Sequence, residues 1–305
     1  MQPLTIALGD YGLTRPIKEA RVDPGRLKLD LVKVEQIVPM MRRMCRGLEF
    51  DICEMAFTTY ICARAIGLPF TAIPVFVTRN FHHWAIFQNV KAGIRGPKDL
   101  EGRKVGVNRG YTVTTGLWAR GVLQSEYGVD LDKVTWIPTD DEHVKEFVAP
   151  KNVDYKFRGA QMRDLLLSGE VDAALGEIGV EAPEIKPLIP DAQNAAYAWY
   201  RKTGIYPINH GLVVKNSLLK EMPWIADELM RMFEAAKAEY LKNLEGAAGV
   251  SSWDKAAVAN AKVVGDPFPF GIEKNRKALE AITEFALNQK MVPRKFSVEE
   301  LFAVP

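Results

Sequence analysis

The chain has 305 residues, enough for two lobes that each bury a core, so a single small domain is excluded. Hydrophobic residues make up 48% and charged residues 26%, and 40 Lys+Arg against 38 Asp+Glu leave a net charge of +2, which carries no nucleic-acid or membrane signature. No apolar run reaches the ~18 residues that a bilayer span requires.

In chain order the first element is a short apolar strand at 5–8, with neither a basic segment nor an apolar leader before it. With Met1 as the start, no signal peptide is expected and a cytoplasmic location follows. Gly9, Asp10, Tyr11 and Gly12 stop that strand, and the carboxyl end of a strand is where α/β folds place ligands. Asp10, Tyr11 and the nearby Arg15 are therefore candidate substrate-binding residues. Residues 27–34 alternate apolar and charged side chains, which suits a strand with one solvated face, and 37–44 carry apolar residues at helical spacing with Gly47 as the stop. A strand at 50–53 then delivers Glu54 to a helical segment, and Pro69 and Pro74 bracket a further strand. Cys45, Cys53 and Cys62 are odd in number and lack CxxC spacing, so they read as reduced core thiols. A carboxylate beside Cys53 would raise its pKa rather than activate it.

The stretch 79–87 organises the chain: two of the four histidines, His82 and His83, follow Arg79 and precede an apolar strand-like run at 84–87. His210 ends a second polar cluster, containing Tyr206, beside another strand-like run. These two stretches are read as chain crossings between lobes, which would bring His83 and His210 to one cleft as a catalytic pair. The weaker reading is that each merely bonds within a hinge. His143, in a solvated acidic turn, is expected to have no function.

The pattern restarts at Gly93, with a turn, a one-turn helix and a strand ending near Val107. Arg109, Thr112, Thr114 and Thr115 then sit where a strand hands over to a helix at about 114–127. Free N–H groups at such a helix start, with hydroxyls and a guanidinium, could hold a substrate carboxylate, whereas ordinary capping would need only one threonine. An internal echo links 43–51 to 165–172: a helix ends at glycine and an acidic strand follows, so each lobe is expected to present one carboxylate, Glu54 or Glu177, at an equivalent strand end. The segment 142–157 is irregular. Apolar residues recur at helical spacing over 223–244, residues 265–271 form a rigid loop, a helix follows at 273–288, and the tail at 297–302 is read as docked.

With "DLEGRKVGV" opening the second lobe and "GEVDAAL" near its end, the chain resembles a type II periplasmic-binding-protein-like fold: α/β, two lobes, two crossover strands and a central cleft. The expected division is 1–86 with 210–305, and 87–209. More narrowly, "GDYGLTR", "FDICEMAFTTY", "IPVFVTRNFHH", "GIRGPKDLEGRKVGV", "YRKTGIYPINH" and "PFPFGIEKNRKALE" together resemble the 4,5-dihydroxyphthalate decarboxylase family over nearly the whole chain. Arg79 and His83 match that family, while His82 stands where it commonly carries arginine. The resemblance implies non-oxidative loss of carbon dioxide from a hydroxylated aromatic diacid, giving protocatechuate from 4,5-dihydroxyphthalate. In that chemistry His83 and His210, with Glu177, are the expected catalytic groups, and Asp10, Tyr11, Arg15, Glu54, Arg79, His82, Arg109, Thr112, Thr114, Thr115 and Tyr206 the expected substrate contacts. No cofactor is expected. A metal held by His82, His83 and Glu54 or Glu177 is disfavoured, because adjacent histidines on a strand point to opposite faces. The expected partner is a small aromatic acid, with homo-oligomerisation left open. The competing class is a non-enzymatic solute-binding protein feeding an importer, which the missing export signal disfavours.

Overall fold

The computed structural model describes residues 2–179, 182–246 and 251–303. Ten strands are found among them: β1 (Leu4–Ala7), β2 (Leu29–Val32), β3 (Ile52–Ala56), β4 (Phe70–Arg79), β5 (Ile86–Asn89), β6 (Lys104–Val107), β7 (Thr135–Pro138), β8 (Ala173–Leu175), β9 (Ile185–Pro187) and β10 (Ile208–Lys215). The α-helices between them are α1 (Arg15–Lys18), α2 (Ile37–Gly47), α3 (Phe57–Ala65), α4 (Thr114–Tyr127), α5 (Met162–Ser168) and α6 (Ala192–Thr203). After β10 come α7 (Asn216–Glu221), α8 (Ile225–Lys242), α9 (Ser252–Val264) and α10 (Arg276–Asn288). The chain divides into two compact units. The first is Met1–Asn80, Ile208–Glu280 and Phe296–Pro305; the second is Phe81–Pro207 and Ala281–Lys295. This division departs from the expected one in three places. Residues 208–209 belong to the first unit, where Ile208 pairs with Arg79 of β4. Residues 81–86 belong to the second unit, because the apolar run does not enter a strand until Ile86. Residues 281–295 also belong there, where Gln289 bonds Arg120 and Phe285 packs edge-on against Trp118.

In the first unit the sheet order is β2-β1-β3-β10-β4, with β1 parallel to β2 and β3 and with β10 antiparallel to β3 and β4. Its core gathers Ile6, Leu8, Ile52, Val75 and Val214 from the sheet region and Ile225, Leu229, Met232, Phe233 and Ala236 from α8. The helical spacing was legible, but Met232 rather than Met230 is the fully buried methionine of that face. Strand β4 runs straight through Pro74, because it is an edge strand and a missing N–H costs no ladder bond there. The Pro74 carbonyl instead accepts the N–H of Gly271. The tail docks as expected: Tyr60 donates to the Leu301 carbonyl, and Phe302 stacks on Phe57.

In the second unit the order is β7-β6-β8-β5-β9, with β6 parallel to β7 and β8 and with β5 antiparallel to β8 and β9. The two sheets thus share one plan: three parallel strands, then an antiparallel strand contributed from elsewhere in the chain, then an edge strand. The internal echo in the sequence leads into β3 and β8, which hold the same place in their sheets. Both preceding helices close on a left-handed residue, but in α2 it is Leu48 (φ 49°) rather than Gly47, whereas α5 uses Gly169 (φ 81°). The core of this unit includes Ile137, Met162, Leu166, Val171 and Ala174, and α4 stops at Gly128 in the left-handed region.

Candidate active site

The first unit assembles a carboxylate, an imidazole and a phenol from three separated stretches, and strand register is the reason. Glu54 lies opposite Leu212 in the β3/β10 ladder, and His210 lies opposite Ala56. Residues two apart share a sheet face, so Glu54 and His210 are diagonal neighbours on one face, within reach of long side chains. Ala56 opposite the imidazole is small and leaves it room. The outcome is a 2.6 Å bond between His210 Nδ1 and Glu54 Oε1.

Strand β1 supplies the rest. Ala7 pairs with Cys53, so the turn that follows β1 runs past Glu54. The Gly9 N–H donates to Glu54 Oε2 at 2.7 Å and the Tyr11 hydroxyl donates to Oε1 at 2.8 Å. Glycine is required at position 9, since a Cβ there would lie 2.5 Å from the Tyr11 ring. Thr14 pins the turn by accepting the Tyr11 N–H and donating to the Gly9 carbonyl. Glu54 is wholly buried, and three donors compensate the charge that burial would otherwise penalise. Burial and the neighbouring Glu54 push the Tyr11 phenol well above its usual range, so it remains a donor. A carboxylate only accepts, so His210 Nδ1 carries the shared hydrogen. Among the described residues no partner meets His210 Nε2, and the side chain is 15% exposed. An imidazole held at Nδ1 by a buried carboxylate, with Nε2 open, can deliver or take a proton there.

Other expected residues of this unit have different surroundings. Asp10 is exposed and forms ion pairs with Arg15 at 3.3 Å and Lys18 at 3.9 Å, so its carboxylate serves the surface of the turn. Arg79 is buried at the end of β4, lies over the Phe76 ring and donates to Asn275, whose own amide donates to the carbonyls of Pro269 and Gly271. Cys53 is buried and free, and its thiol is pushed up by burial and by Glu54, as expected of an unreactive core thiol.

In the second unit His83 is buried in a 3₁₀ turn (His83–Ala85), not on a strand, with its ring edge-on to Trp199 at 5.5 Å. Among the described residues neither ring nitrogen has a hydrogen-bond partner, and burial lowers its pKa to about 4. It is therefore neutral at pH 7 and a poor proton donor, which makes it the member of the expected pair less suited to be the general acid. His82 is buried beside Trp84, and Tyr206 is buried against Phe81 with ring centroids 5.1 Å apart. The expectation of equivalent carboxylates does not hold. Glu54 lies within β3, whereas Glu177 lies past the end of β8 beyond Gly176, with its side chain exposed and its carbonyl accepting from Asn108.

The turn that leads into α4 does hold a carboxylate, and it is the chain's own. Glu142 accepts from the N–H groups of Tyr111 (2.5 Å) and Thr112 (3.0 Å), the Thr112 hydroxyl (2.5 Å) and the Tyr155 hydroxyl (2.6 Å). Thr112 is thereby engaged rather than open to a substrate carboxylate. Thr114 is buried in the first turn, Thr115 is half-buried, and the Arg109 side chain is exposed while its backbone, at φ 82°, bonds Thr139. The segment 142–157 is irregular in sequence, and nothing in an acidic turn marks one glutamate as the acceptor for the turn before α4. Also missed was Trp253 of α9, whose ring lies against both Tyr11 and His210. Among the described residues no group of three or more His, Cys, Asp or Glu is arranged to hold a metal ion.

The chain is 31% identical over 261 residues to the 4,5-dihydroxyphthalate decarboxylase of Comamonas testosteroni, covering 79% of this chain and 76% of that one. It belongs to the 4,5-dihydroxyphthalate decarboxylase family. A second member, from Pseudomonas putida, is 29% identical over 215 residues, 65% of this chain and 81% of its own. A family model described as NMT1/THI5 like matches residues 50–165, a span that holds Glu54, His83 and the start of α4. Among solved structures, the alkanesulfonate-binding protein of Xanthomonas axonopodis pv. citri bound to MOPS has a TM-score of 0.57 at 14% identity over 99% of both chains. That likeness shows the periplasmic-binding-protein fold, which this chain builds from the two like sheets described above. Among the described residues no helix is long and apolar enough to cross a membrane.

Proposed function

We propose that this family member removes one carboxylate from a hydroxylated aromatic dicarboxylate, 4,5-dihydroxyphthalate giving protocatechuate, with His210 as the proton donor and Glu54 and Tyr11 as its support. The observation that carries the reading is the buried Glu54–His210 pair with its second ring nitrogen open, within a chain whose curated relatives are named for that decarboxylation. The ring hydroxyl para to the departing carboxylate loses its proton to solvent, and the oxygen electrons move charge to the carboxylate-bearing carbon. Nε2–H of a protonated His210 delivers its proton to that carbon. The carbon–carboxylate bond then breaks, its electron pair restores the aromatic ring, and carbon dioxide leaves. Histidine suits the step because its ordinary titration range spans neutral pH. Glu54 fixes the tautomer and stabilises the imidazolium, and the Gly9 and Tyr11 donors hold Glu54 in turn. His83, neutral and apolar in its surroundings, has a binding or packing role in this scheme, and no cofactor takes part.

The test is to incubate the protein with 4,5-dihydroxyphthalate and follow carbon dioxide and protocatechuate, alongside His210→Gln. Turnover by the wild type and its loss in a folded variant are expected. A second reading, a non-enzymatic binding protein for an aromatic or other small carboxylate, draws on the fold shared with the alkanesulfonate-binding protein. It requires saturable binding without carbon dioxide release, and turnover of the wild type would end it.

A further inference from the structure

Trp253 is the second residue of α9, and its ring touches two members of the Glu54 constellation. Its centroid lies 6.1 Å from that of His210, tilted by 50°, and 6.3 Å from that of Tyr11 in an edge-on arrangement. The indole is half-buried, and among the described residues no hydrogen-bond partner meets its N–H. A core tryptophan is ordinarily covered and has its N–H satisfied. Trp253 has neither property.

The helix start that carries this ring is firmly held. Ser251 caps α9 by accepting the Asp254 N–H at 3.1 Å, and buried Asp254 accepts from the Tyr240 hydroxyl at 2.5 Å and the Gly12 N–H at 3.2 Å. A Cβ on Gly12 would lie 2.0 Å from the Tyr240 ring and 2.6 Å from Asp254 Oδ1, so only glycine lets the turn after β1 close against α9. One turn therefore orients Tyr11 on one side and, through Asp254, the indole on the other.

If His210 Nε2 must approach a ring carbon, the substrate ring has to lie beside the imidazole, and Trp253 is the aromatic surface next to it. Resting on the decarboxylase reading, we propose that Trp253 is the specificity-determining residue for the substrate's aromatic ring, packing against that ring beside His210. Offset or edge-on aromatic packing adds to what burial of the ring contributes.

The test uses Trp253→Ala, Trp253→Phe and wild type with two non-reacting probes: phthalate, which has the ring, and maleate, which keeps two neighbouring carboxylates without it. Calorimetric titration should show phthalate affinity falling roughly 10-fold to 100-fold in Trp253→Ala and by less in Trp253→Phe, with maleate affinity changed by no more than about threefold. KM for 4,5-dihydroxyphthalate should rise in step while kcat falls less than about tenfold. Should the alanine variant not fold, Trp253→Leu, which keeps bulk without an aromatic face, makes the same comparison. Unchanged phthalate affinity in a folded Ala or Leu variant, or equal losses for phthalate and maleate, would overturn the assignment. A wild type that binds phthalate through Trp253 yet releases no carbon dioxide from 4,5-dihydroxyphthalate sinks the decarboxylase reading and leaves the ring-binding role standing. A KM for 4,5-dihydroxyphthalate that stays unchanged in Trp253→Ala sinks the ring-binding role alone.

Discussion

The turns after β1 and β6 are the same device put to two uses. Each follows the second strand of its sheet order, each has a tyrosine four residues beyond the strand end, Tyr11 after Ala7 and Tyr111 after Val107, and each gathers a glutamate. In the first unit that glutamate is Glu54, sited inside the neighbouring strand, buried, and bonded to an imidazole that keeps one nitrogen open. In the second it is Glu142, from a loop, whose donors are two amides and two hydroxyls of its own unit. A carboxylate reached from within a sheet can pass its charge to a titratable partner on the next strand. One arriving from a loop satisfies the turn before the helix and ends there. The first arrangement can do chemistry, and the second fastens structure.

Breaking the first arrangement should have the largest effect. His210→Gln is expected to lower turnover of 4,5-dihydroxyphthalate roughly 10²-fold to 10⁴-fold, and Glu54→Gln, which disturbs the tautomer, by at least roughly 10²-fold. Single-turnover carbon dioxide release and thermal melting on the same samples separate this from unfolding. Near-normal turnover in folded His210→Gln would remove the distinction between the two turns.

Acid should find the second unit before the first. The folded pKa of His83 is lowered to about 4 by burial, below the ordinary value near 6.5. The unfolded chain therefore binds the extra proton between those values, and stability falls as pH drops from about 6.5 to about 4. The loss reaches about 3 kcal/mol. His83→Phe should flatten that part of a denaturation-versus-pH curve, and an unchanged slope would show that His83 is not held neutral.

Glu142→Ala releases the amides of Tyr111 and Thr112 and the hydroxyls of Thr112 and Tyr155, with an expected cost of about 2 kcal/mol in urea midpoint analysis. Its turnover should stay within about threefold of wild type. A fall as deep as that of His210→Gln would make the second turn catalytic after all. Smallest is Tyr11→Phe, which removes one of three donors to Glu54 and should cost about 1.5 kcal/mol of stability. Turnover would fall with it by no more than about tenfold, because Gly9 and His210 still hold the carboxylate.

Local sequence determined much of this protein. Apolar alternation, glycine stops and helical spacing placed most strands and helices, the buried free cysteines and the two turns, because these depend on a few neighbouring residues and on backbone geometry. The likeness of the 43–51 and 165–172 stretches foreshadowed two sheets of one plan. Only the tertiary structure decided partners. Glu54 and His210 are 156 positions apart, and their meeting depends on the β3/β10 register, which the packing of a whole sheet face selects. The same holds for Glu142 bonding the turn before α4, for residues 281–295 joining the second unit, and for Trp253 lying against His210. Periodicity tells which face a side chain takes. It carries no information about which distant side chain shares that face, since that is fixed by long-range burial summed over the unit.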